Sequence, residues 1–141
     1  MKNMLMSTVD RVLLVAHGEQ PPTDEEWAAF MSGFANHGVD DALVLVWTEG
    51  AAPNVSQRRE LTDLLAGRAV PIAVLSSSTL VRGVATAISW FNRKVRVFAP
   101  HDADAAITFL GVGAPHAAKV REELESLRAK LHPTELTRKA R

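Results

Sequence analysis

The chain has no cysteine and no tyrosine, carries no net charge, and holds no apolar run near the roughly 20 residues a membrane-spanning helix needs. Each absence removes a class of function. Without Cys there is no disulfide framework, no thiolate metal site and no thiol nucleophile, and the composition suits a reducing compartment. Sixteen Lys and Arg against sixteen Asp and Glu leave no basic field, which argues against a dedicated nucleic-acid binder. The longest apolar runs, such as residues 42–47, are far too short to span a bilayer. The first ten residues hold one Lys but neither the apolar centre nor the small-residue cleavage site of a signal peptide. The expectation is a soluble, cytoplasmic protein with no stable membrane insertion.

What is present alternates between two hydrophobic periods. Val12-Leu13-Leu14-Val15-Ala16, residues 42–47, residues 70–75 and Val95-Arg96-Val97-Phe98 are short apolar runs rich in β-branched residues and bounded by turn formers. Such runs suit strands buried on both faces. A Met4-Leu5-Met6 edge strand beside the first of them is a further candidate.

Helical patterns lie between. Trp27, Phe30, Met31 and Phe34 repeat at i, i+3, i+4 and i+7, behind Thr23 and Glu26 at capping-box spacing. Asn54 or Ser56 can cap a second helix carrying Leu61, Leu64 and Leu65, with Gly67 past its end. A third helix, with Leu80, Val81, Val84, Ala87, Ile88 and Phe91, is apolar over more than half its circumference and is expected to be the best buried. Ala105, Ala106, Phe109 and Leu110 mark a short fourth helix. Val120, Leu124, Leu127 and Leu131 form a narrow stripe on a fifth, a seam against either a sheet surface or a second subunit, so a homodimer through this helix is one expectation.

Strand and helix in alternation predict the fold class: α/β, with a single mostly parallel sheet of four or five strands and helices on its faces. Residues 1–133 read as one domain, and the basic tail 134–141 as a flexible appendage. In such sheets ligands meet the protein at the carboxyl ends of the strands. Here that edge comprises residues 49–57 and 76–82.

The order of elements, with Asn54-Val55-Ser56-Gln57-Arg58-Arg59-Glu60-Leu61 after one strand and the helix opening Leu80-Val81-Arg82-Gly83-Val84 after the next, resembles the SpoIIAA-like branch of the STAS domains. The likeness covers about residues 11–112 and extends to the CRAL-TRIO lipid-binding fold. The resemblance implies no cofactor, and binding or regulation in place of catalysis, through a protein partner, a lipid or a small anionic ligand. It also implies a phosphorylated serine at the start of a helix after a central strand; the matching position is Ser56, although the Asp-Ser-Ser-Gly-like turn of that family is missing here.

Each candidate side chain admits a second reading. Ser76, Ser77, Ser78 and Thr79 can offer hydroxyls and helix-start N–H groups to an anion, or can merely cap the helix. Arg82 can grip a phosphate or carboxylate, or pair with Glu49. Ser56 with Arg58 and Arg59 fits a phosphoserine site or an ordinary cap. Trp47 and Trp90, closing a strand and a helix, can wall an apolar pocket or fill the core. With Glu49, Asn54 and Gln57 these residues make up the expected binding rim.

His17-Gly18-Glu19 resembles the His-Gly that opens some chelatase and histidine-phosphatase domains, so the alternative function is a small hydrolase or chelatase-like enzyme using His17 with Glu49. That alternative needs an acid in hydrogen-bond reach of His17. The competing reading of His17 is a loop histidine. The other four histidines have no metal-ligand spacing, and no metal site is expected.

Overall fold

The computed structural model describes residues 3–89 and 94–131. Their order is β1 (Met4–Val9), β2 (Val12–His17), α1 (Asp24–His37), a 3-10 turn (Val39–Asp41), β3 (Leu43–Thr48), α2 (Val55–Leu65), β4 (Ile72–Leu75), α3 (Thr79–Ser89), β5 (Val95–Phe98), α4 (Ala103–Phe109) and α5 (Ala114–Leu131). The molecule is α/β with one five-stranded sheet, ordered β1-β2-β3-β4-β5. β1 runs antiparallel to β2, and β2 to β5 are mutually parallel. Trp90 lies outside the described residues, as does the tail 134–141.

Helix placement follows from this order. The three crossovers between β2 and β5 all step in the same direction, so right-handed connections put α1, α2 and α3 on one face. The chain after β5 then covers the other face with α4 and α5. Two apolar layers result. Leu13 and Val15, Val44, and Ile72 and Val74 meet Trp27, Phe30 and Phe34 of α1, Leu61 and Leu65 of α2, and Val81 of α3. Val12 and Leu14, Leu43 and Leu45, and Ala73 and Leu75 meet Ala106 and Ile107 of α4 and the Val120, Leu124, Leu127, Leu131 stripe of α5. The seam on α5 is therefore the sheet surface, and its apolar stripe is used up there. All six residues of β2 are buried, as expected for a central strand covered on both sides.

Both helix-start signals act as the spacing implies. Thr23 Oγ1 accepts from Glu26 N while Glu26 Oε1 accepts from Thr23 N; Asn54 and Gln57 repeat the arrangement for α2. Asn54, not Ser56, is the cap.

Helix α3 departs from expectation. It is not the best-buried helix: only Val81 and Ala85 are buried, and Leu80 is 64% exposed. The reason is its position over the half-exposed edge strand β5 and above unfilled space, so its apolar side chains have fewer neighbours than their pattern demands. An open groove of about 220 Å³ separates it from α2, lined by Val55, Arg58, Arg59 and Thr62 on one side and Ala87 and Ile88 on the other.

Candidate functional site

The parallel strands end together, and their loops are stitched into one rim. Gly18 N donates to Asn3 O, Glu49 N to His17 O, Ala51 N to Gly18 O, and Ser76 N to Phe98 O. Residues 49–57 and 76–82 thus share the carboxyl edge of the sheet, β3 and β4 being neighbours. Five of the predicted rim side chains, Asn54, Gln57, Arg58, Ser76 and Ser78, are engaged in building it.

Gln57 is buried, and its amide joins the Asn54 cap to Pro22 O, tying α2 to the loop before α1. Arg58 donates to Pro53 O. Ser76 is buried with its Oγ accepting from Ser78 N, and Ser78 Oγ accepts from Val81 N, so these two hydroxyls cap α3. Ser77, Thr79 and Arg82 are exposed at the same helix start, and Ser56 is exposed at the second position of α2. Replacing Asn54 by Ala is expected to lower the unfolding free energy by about 1 kcal/mol in a urea titration, the usual effect of losing a helix cap.

Trp47 does not wall a pocket on the α1–α3 side. Along β3 the residues Val44, Val46 and Thr48 face α1–α3, which leaves Leu43, Leu45 and Trp47 toward α4 and α5. There the half-buried indole lies 4.4 Å beneath the Arg128 guanidinium.

The concave site is elsewhere, inside the layer between the sheet and α1–α3. A cavity of about 80 Å³ is bounded by Val15, Val44, Val46, Ile72, Val74 and Val95 of the sheet, by Trp27, Phe30 and Phe34 of α1, by Leu61 of α2, and by Val81, Val84, Ala85 and Ile88 of α3. Ala51, Ala52 and Pro53 close it at the carboxyl edge, together with His17 and Thr48. Among the described side chains of the wall only His17, Trp27 and Thr48 carry a polar group. Thr48 is satisfied: its Oγ1 donates to Ala51 O at 2.7 Å and accepts from Gly50 N. His17 Nδ1 and Trp27 Nε1 are buried with no hydrogen-bond partner.

His17 is the last residue of β2, held in register against Met4, and it is 5% exposed. The loop reading of this histidine is therefore corrected: pairing with β1 extends the strand one residue further than its apolar run, and the imidazole turns inward. Burial pushes its pKa down to about 4, partly opposed by the negative charge of Glu26. At neutral pH it is an uncharged ring.

Glu26 does not supply the acid that general acid/base work would require. Its own burial raises its pKa, but hydrogen bonds from the backbone N–H groups of Thr23, Met4 and Asn3, and from the Thr23 side chain, outweigh this and hold it below the ordinary carboxylate value. The contact between His17 and Glu49 runs from the Glu49 backbone N–H to the His17 carbonyl, not from carboxylate to ring. Among the described residues no group of three or more His, Asp or Glu is placed to hold a metal ion, and no helix is long and apolar enough to cross a membrane.

Of the described residues that line this cavity, the sequence pattern marks only His17 as a site candidate, and for a different chemistry. Trp27 carried the signal of an ordinary core helix. Compared with known protein families, curated proteins and solved structures, the chain matches none.

Proposed function

We propose that the protein is a non-catalytic, STAS-like binding module that holds a small ligand between its sheet and the α1–α3 layer and presents its carboxyl rim to a protein partner. One observation carries the reading: an apolar cavity lined by two side chains, His17 and Trp27, whose Nδ1 and Nε1 atoms are buried without partners. Buried donors and acceptors are nearly always paired, because an unmade hydrogen bond costs about 1–3 kcal/mol. Two of them on side chains that line one cavity fit a site completed by a guest. The loose seating of α3 supports the same reading, since a helix with Val84 and Ile88 over empty space can yield to a guest without breaking a packed core. Ser56, exposed in the first turn of α2 with Arg59 one turn away, is where a partner kinase would act: a phosphate there meets the positive end of the helix.

Xenon tests the cavity directly. Under xenon pressure the amide and methyl resonances of Val74, Val84 and Ile88 are expected to shift in a saturable way. Ala85→Leu places new methyl groups in the space, and it should keep the fold and abolish those shifts. Unmoved resonances in the wild type, or equal shifts in the variant, would remove the cavity as a binding site.

A further inference from the structure

The chemistry of the cavity wall says more about the guest than that it is apolar. This step rests on the binding reading above. His17 and Trp27 are 5% and 3% exposed, and both line the cavity, one as the last residue of β2 and the other from the first turn of the helix that follows it. Trp27 Nε1 can only donate, whereas an uncharged imidazole nitrogen donates or accepts according to tautomer. Their complement is an oxygen, since it can accept from the indole and either accept from the imidazole or donate a hydroxyl proton to it. A pure hydrocarbon would leave both nitrogens unpaired.

The described part of the wall argues against charge. Among the described residues no Lys, Arg, Asp or Glu lines the cavity, and the charged group felt by His17 is the Glu26 carboxylate. An anionic head would therefore be buried without a countercharge and near a negative neighbour, at a desolvation cost that nothing here offsets. An ammonium head, which has only donors, would face the indole N–H. Size guides the choice of probe. A cavity of about 150 Å³ accommodates the six carbons of benzene, so 80 Å³ has room for roughly three or four non-hydrogen atoms with α3 in its present place.

We infer that this cavity binds a small uncharged oxygenated molecule, of the alcohol, aldehyde or ketone class, with its oxygen against Trp27 Nε1 and His17 Nδ1 and its carbon chain among the valines.

Three probes of four non-hydrogen atoms each separate the possibilities: propan-1-ol, n-butane and acetate, titrated into the full chain. The indole N–H resonance of Trp27, assigned by its loss in Trp27→Phe, reports the contact. Propan-1-ol is expected to move that resonance saturably, and to bind at least about tenfold tighter than butane and about a hundredfold tighter than acetate. In His17→Leu and Trp27→Phe, where the methyl resonances of Val74, Val84 and Ile88 report binding, the preference for propan-1-ol over butane should fall to within about threefold, a ratio that altered packing alone would not change. Butane binding as well as the alcohol, or acetate binding best, would overturn the oxygen assignment and leave the binding module standing. Binding of xenon but of none of the three probes would do the same. Indifference to xenon and to all three would sink both.

Discussion

Acidification from pH 6.5 to about 4 is expected to remove about 3 kcal/mol of stability through His17 alone. The sign follows from where the proton can go. Above pH 6.5 the imidazole is uncharged in both the folded and the unfolded chain, and it contributes no pH dependence. Below that value the unfolded chain takes up a proton, while the folded protein, with His17 held down to about 4 by burial, does not. Proton uptake thus favours unfolding, at about 1.4 kcal/mol per pH unit across the interval between the two values. Below about pH 4 the folded form protonates as well and the loss levels off. Glu26 adds a second loss of the same sign at still lower pH, because its carboxylate is held below the ordinary value by the N–H groups of Asn3, Met4 and Thr23 and must be protonated as those bonds are given up. Urea titrations at pH 7, 6, 5 and 4.5 measure the slope. His17→Leu, which removes the titrating ring, should flatten the curve between pH 6.5 and 4.5. A wild-type stability that stays level down to pH 5 would mean that the ring is solvated and that no buried unpaired nitrogen faces the cavity.

The parts of this fold that could be read in advance are those whose causes are local. The capping boxes of Thr23 with Glu26 and of Asn54 with Gln57 need only neighbouring residues, and the continuous apolar runs of β2, β3 and β4 follow from burial on both faces. Those same runs hide the site. With apolar residues at the first five positions of β3 there is no alternation to tell Val46 from Trp47, so which side chains face α1 and which face α5 is settled only by the crossovers. The first strand was faint because its turn is Asp10-Arg11, with Asp10 at φ 52°, in place of the Asn-Gly or Asp-Gly that announces a hairpin. His17 was misplaced for the same reason, since its strand position depends on pairing with Met4 thirteen residues earlier. Helix α3 shows a different limit. An apolar pattern measures how much surface is available for burial; whether a neighbour fills that surface is a property of the assembled layers. Here the neighbour is partly a void.

That void should make the two faces of the sheet respond unequally to truncation, and this is the second large effect expected. Leu45 and Ile72 are aliphatic side chains of equal size on adjacent strands, pointing in opposite directions. Leu45 is fully buried in the layer against α4 and α5; Ile72 faces the cavity. Leu45→Ala removes transfer free energy and creates a new hole, and a cost of about 3–4 kcal/mol is expected, near 10 °C in Tm for a chain of this size. Ile72→Ala loses the same transfer free energy, but part of its side chain already borders empty space and has fewer dispersion contacts to forfeit, so about 2 kcal/mol is expected. Thermal and urea unfolding of the two variants decide the matter. A larger loss at Ile72 than at Leu45 would show a face packed to ordinary core density, and a layer so packed could not admit a guest. On the binding reading proposed above, the expected inequality has a functional meaning: packing on the α4–α5 side stabilises the chain, whereas the α1–α3 side forgoes some of that stability where His17 and Trp27 stand unpaired, as a binding site does before its ligand arrives.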